Sequence, residues 1–161
     1  MEPELVQVLL VEDNAGDAYL FRKALEEANL NFALTVIDDG FQALAFVRGE
    51  GEYAGNPVPD LVVLDLNLPK HGGVEVLQAI EQSRRFDRVP LVITSSSPSL
   101  PRLTESQRSR VTRYIAKPPD LDEFLAIGPV LKKMLLEAKA RAQESVSPGK
   151  EGFPPGADWH P

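Results

Sequence analysis

Three short apolar runs constrain this chain more than any other feature. Leu5 to Val11 is almost continuously apolar and stops at Glu12-Asp13-Asn14. Leu61 to Leu64 stops at Asp65, and Leu91 to Ile93 stops at Thr94-Ser95-Ser96. A strand with one wet face alternates apolar and polar residues, whereas a strand covered on both faces is apolar throughout. The three runs therefore read as interior strands of a parallel sheet. Leu34 to Ile37 and Tyr114 to Ala116 are weaker candidates for two more strands. Helical spacing fills the intervals. Ala18, Phe21, Leu25 and Ala28 follow Asn14, a credible N-cap, and Phe41 to Val47, Val74 to Ile80 and Leu121 to Leu136 carry similar patterns. Alternation of strand and helix predicts an α/β chain with a doubly wound parallel sheet and right-handed crossovers.

The 161 residues allow one domain with some chain to spare. Residues 1–143 read as the domain. Residues 144–161, rich in Pro and Gly and without periodicity, read as a tail outside the core. Gly49 to Pro59 is a long turn-rich connection before the third strand. The net charge of −7 argues against nucleic acid as the main partner. With no cysteine there is no thiolate chemistry, and two histidines leave little for a histidine-rich metal site. No apolar run approaches the roughly 20 residues of a membrane-spanning helix, and the acidic start Met1-Glu2-Pro3-Glu4 lacks the basic opening of a signal peptide. No membrane partner is expected.

In doubly wound sheets, ligands sit beyond the carboxyl ends of the strands. Those ends supply Glu12 and Asp13 from the first run and Asp65 from the third strand. If the strands are neighbours, three carboxylates converge. Each like-charge pair at about 5 Å costs roughly 3 kcal/mol at an effective dielectric near 20. A cation would relieve that repulsion, and a small set of hard oxygen ligands suits Mg²⁺. The fourth strand ends in Ser95, whose hydroxyl can bond a phosphoryl oxygen. The fifth ends in Lys117-Pro118, whose ammonium can reach the same edge. Each residue alone is unremarkable; an acid pair, an acid, a hydroxyl and Lys-Pro at successive strand ends form a more specific set.

Over residues 5–136 the chain resembles the receiver domain of bacterial two-component response regulators. The matching segments are LLVEDN (9–14), LVVLDLNLP (61–69), PLVITSS (90–96) and YIAKP (114–118), and the family's interval between hydroxyl and lysine is kept. The stretch GEYAGNPVPDLVVLDLNLP is most similar to regulators encoded with bacterial phytochromes. The resemblance implies a flavodoxin-like, three-layer α/β/α fold with strand order 2-1-3-4-5. It implies Asp65 as phosphoacceptor. Asp13, Asp65 and the Asn67 backbone carbonyl would hold Mg²⁺, and Glu12 would hold the metal's waters. Ser95 and Lys117 would bind phosphoryl oxygens, Tyr114 would change rotamer on activation, and a cis peptide would precede Pro118. The donor would be a phosphohistidine on a sensor histidine kinase, of which a bacterial phytochrome is one kind, in the cytoplasm.

The chain departs from the family's pattern in places. Gly72-Gly73 replaces the usual Asp-Gly, which removes a helix N-cap. Pro98 and Pro101 delay the next helix, with Pro101 suited to its first position. His71 reads as an exposed turn residue. Two other readings compete with a phosphorylation switch. A Mg²⁺-dependent aspartyl-phosphate phosphohydrolase would need a second acid two residues after the nucleophile, where Asn67 stands. A receiver-like module working without phosphorylation would not need the complete acid set. The final helix carries more apolar residues than one stripe requires. Gly128-Pro129 is expected to kink it and swing its second half outward, which predicts a homodimer through that helix.

Overall fold

The computed structural model describes residues 4–69, 72–97 and 101–146. His71, His160 and most of the tail lie outside them. Five parallel strands form one sheet in the order β2-β1-β3-β4-β5: β1 (Val6–Val11), β2 (Phe32–Ile37), β3 (Leu61–Asp65), β4 (Leu91–Ser95) and β5 (Arg113–Ala116). The helices are α1 (Ala15–Glu27), α2 (Gly40–Arg48), α3 (Gly73–Gln82), α4 (Glu105–Arg110), α5 (Leu121–Leu125) and α6 (Ile127–Val146).

The three apolar runs are the three central strands. Every residue of β3 and β4 is buried, because helices cover both faces. Alternate side chains feed two cores. Leu9, Val11, Val62, Leu64 and Ile93 pack with α2 and α3, whereas Val8, Leu10, Leu61, Val63 and Val92 pack with α1, α5 and α6. The two weaker strand candidates are the edges. β2 and β5 are only half covered, so their sequences cannot be apolar throughout.

Helix starts follow side-chain chemistry. The Asn14 Oδ1 accepts the Asp17 N–H at 2.9 Å and opens α1 directly beyond β1. Asp39 and Asp120 cap α2 and α5 in the same way. The N-cap of α3 is Gly72, which makes no side-chain cap, as its sequence implies. Gly73 has a different reason to be glycine. A Cβ there would lie 2.4 Å from the Leu66 Cα and 2.6 Å from the Asp65 carbonyl oxygen, so α3 starts in contact with the chain just past β3.

Two expectations are corrected. α4 does begin late, but Pro101 is not its first residue. The helix opens at Glu105 behind a capping box in which the Thr104 hydroxyl accepts the Gln107 N–H and Gln107 Oε1 accepts the Thr104 N–H. A start at Pro101 would make Leu100 the N-cap, which has no side-chain acceptor, whereas the capping box satisfies two end donors at once. The final helix breaks at Ala126, not at Gly128-Pro129, and its second half does not swing away. Pro129 sits in the first turn of α6, where a missing N–H costs no bond. Gly128 is a contact residue: a Cβ there would lie 2.1 Å from the Ala24 carbonyl oxygen of α1. Leu131, Met134 and Leu135 are buried against the sheet. Leu121 and Leu136, at 55% and 58% exposed, are what remain of the apolar surplus expected on this stretch.

Candidate functional site

β1 and β3 are neighbours, so the ends of both central runs open on one edge of the sheet. Single carboxylate oxygens of Glu12, Asp13 and Asp65 lie within 4.8 Å of one another there. Glu12 and Asp65 are buried, at 1% and 3% exposed, while Asp13 is exposed. Glu12 Oε2 accepts the Asn14 N–H at 3.0 Å, and Asp65 Oδ1 accepts the Asn67 N–H at 2.8 Å. The backbone after each strand thus orients the acid that ends it.

Lys117 enters from the end of β5, where its N–H donates to the Ser95 carbonyl at 2.9 Å. Its Nζ donates to Asp65 Oδ2 at 2.8 Å and to Asp17 Oδ2 at 2.9 Å. It also lies 2.6 Å from Glu12 Oε1 in an ion pair outside hydrogen-bonding angles, which leaves that buried oxygen without a hydrogen bond. Burial alone would lower the lysine, but its hydrogen bonds to Asp65 and Asp17 and the adjacent Glu12 carboxylate overcome this and hold its ammonium above the ordinary range. Burial pushes the Glu12 carboxyl up to about 7, against the opposing pull of Lys117. Three acids thus share one ammonium, with Asp13 beside them.

A second cation fits this arrangement. The donors are all hard carboxylate oxygens, one acid is open to solvent, and Glu12 Oε1 is buried without a hydrogen bond. That set suits a small divalent ion that keeps several waters.

Ser95 and Asn67 lie on the same edge and bond each other. The Asn67 amide donates to Ser95 Oγ at 2.9 Å, and the Ser97 N–H donates to the same oxygen at 3.1 Å. Tyr114 stands apart on the edge strand, 39% exposed. The cis peptide before Pro118 is not present: cis bonds are absent among the described residues, and Lys117–Pro118 is trans. Trans is the lower form of an X–Pro bond by about 0.5–1 kcal/mol, and from it the Lys117 ammonium already reaches all three acids. Asp17 is the site residue that sequence reading missed. It lies in the first turn of α1, and the signal was available: an acid three residues after an N-cap that directly follows the acid pair.

A five-stranded receiver-type sheet, with an acid pocket and a buried lysine at the carboxyl edge, defines the class of phosphorelay signalling modules. Residues 8–127 match the response regulator receiver domain, and the chain belongs to that family. It is 34% identical over 130 residues to Response regulator Rcp1 of Synechocystis sp. (strain ATCC 27184 / PCC 6803 / Kazusa), across 81% of this chain and 88% of that protein. The phosphorylated cyanobacterial phytochrome response regulator RcpA superposes with a TM-score of 0.72 at 35% identity, covering 83% of this chain and 95% of RcpA. The Mn²⁺-bound form of Rcp1 gives a TM-score of 0.71 at 32% identity, over 82% and 95% of the two chains. Response regulators of this family work in two-component phosphorelays, act by signalling, bind a divalent metal and take a histidine kinase as partner. No helix among the described residues is long and apolar enough to cross a membrane.

Proposed function

We propose that this chain is a phosphorylation switch that takes a phosphoryl group on Asp65 from the phosphohistidine of a phytochrome-class sensor kinase. One observation carries the reading: Asp65 is 3% exposed, yet its carboxylate lies at the pocket with Lys117 Nζ at 2.8 Å and two further acids within 4.8 Å. A carboxylate attacks phosphorus only where the charge of both partners is cancelled, so the work is positioning and electrostatics. Asp13, Asp65 and the Asn67 carbonyl would hold Mg²⁺, with Glu12 on its waters; when bound, the ion neutralises phosphoryl oxygens. Asp65 supplies the nucleophilic oxygen, held in place by the Asn67 N–H. Lys117 and the Ser95 hydroxyl would donate to phosphoryl oxygens, for which the Ser95 O–H leaves the Ser97 carbonyl while Oγ goes on accepting from Asn67. Tyr114, on the strand that carries Lys117, would report the change outward.

The phosphohydrolase alternative gains nothing from the geometry, because Asn67 spends its amide on Ser95 and has no acid proton to deliver. Residues 1–143 form the receiver in this reading, with 144–161 as a tail. Assembly is as a homodimer through α6, supported by the exposed Leu136. A cytoplasmic location follows from the kinase donor.

Acetyl phosphate with Mg²⁺ tests the central claim by intact-mass measurement. Wild type should gain one phosphoryl adduct and Asp65→Asn none. An adduct of equal yield in the mutant would overturn the assignment. Sedimentation of wild type and Leu136→Asp tests the dimer, and a monomer in both at tens of micromolar removes it.

A further inference from the structure

Lys117 has three N–H donors and three acids around it: Glu12 at 2.6 Å, Asp65 at 2.8 Å and Asp17 at 2.9 Å. Two of its N–H groups are spent in hydrogen bonds to Asp65 and Asp17, and the Glu12 carboxylate crowds the third. A phosphoryl group on Asp65 turns that carboxylate into an acyl phosphate, and its new anionic oxygens compete with Glu12 and Asp17 for the ammonium. Glu12 and Asp17 differ in what release costs. The Glu12 side chain is 0% exposed, so it cannot exchange the lysine for water. The Asp17 side chain is 26% exposed. It also stands in the first turn of α1, where the helix dipole favours a negative charge with no lysine present. Its backbone N–H stays capped by Asn14, so its carboxylate can turn outward without opening the helix.

Resting on the phosphoacceptor reading of Asp65, we propose that Asp17 is a positioning residue that holds Lys117 in the unphosphorylated state and is the acid it leaves on phosphorylation. Asp17 then competes with the phosphoryl group for the lysine and sets how easily the switch is thrown. It ties the first turn of α1 to the end of β5 at rest, and phosphorylation cuts that tie.

Beryllofluoride with Mg²⁺, a phosphoryl mimic, supplies the test on the full chain, with binding followed by fluorine NMR. Asp17→Asn should bind it about fivefold more tightly than wild type, the upper end of what a partly exposed ion pair holds. Asp17→Glu, which restores the competitor, should return toward wild type. A crystal structure of the complex should show Lys117 Nζ on a fluorine and beyond 4 Å from Asp17. Unchanged or weaker binding by Asp17→Asn, or a Lys117–Asp17 contact still intact in the complex, overturns the proposal. Failure of wild type to bind, or equal binding by Asp65→Asn, instead overturns the phosphoacceptor reading and takes this proposal with it.

Discussion

Glu12 shows how a single side chain couples this site to pH. Burial raises its carboxyl from 4.5 to about 7. A carboxyl whose folded value stands above its unfolded one favours folding when protonated. Its stabilising contribution is therefore complete below about pH 4.5 and is lost as pH rises through about 7. With a chelator present, the melting temperature of wild type should fall between about pH 5 and about pH 8 more steeply than that of Glu12→Gln. Parallel slopes would show that Glu12 does not titrate there. Gly73 gives a second prediction at this scale. Gly73→Ala forces a Cβ against the Leu66 Cα and the Asp65 carbonyl and should cost about 1–3 kcal/mol in a urea titration. A midpoint within error of wild type would mean that α3 moves away at no cost.

Among the elements, α6 is held where backbones meet. A methyl group at Gly128 would lie 2.1 Å from the Ala24 carbonyl oxygen, so Gly128→Ala should push α6 off α1 and lower stability by about 1–3 kcal/mol. Ala is the better helix former, so a more stable variant would show that propensity outweighs the contact. α4 is short and depends on its start. Thr104→Ala removes half of the capping box and should cost about 1 kcal/mol by thermal unfolding. No change there would mean that packing of Leu103 and the buried Gln107 holds α4 without its cap.

At the level of the whole molecule, divalent metal and folding are linked through the carboxyl edge of the sheet. An ion that binds only the folded chain stabilises it by about 2.7 kcal/mol at a hundredfold excess over Kd. Millimolar Mg²⁺ should raise the melting temperature of wild type, and Asp13→Ala should abolish the rise. Equal melting temperatures of wild type with and without Mg²⁺ would remove the metal from the site. The acids that gather there come from β1, α1 and β3, so the linkage measures the assembled sheet and not any one element.

The central strands, the acids and hydroxyl that end them, and the lysine that follows the β5 edge strand were legible in the sequence. Burial on both faces demands unbroken apolar runs, and chemistry at the edge demands polar residues where the runs stop. Phe32–Ile37 and Arg113–Ala116 were fainter because edge strands are half covered and tolerate polar residues. What only the tertiary structure decided were contacts between backbones and between distant side chains. No local pattern says that Gly128 meets Ala24, that the break in the last helical stretch falls at Ala126, or that Lys117–Pro118 is trans. Nor does any local pattern place Asp17 on a lysine 100 residues away. Hydrophobic burial is written into the period of a sequence, whereas the partner of a buried ammonium is chosen by which chain ends the folded sheet brings within 3 Å of it.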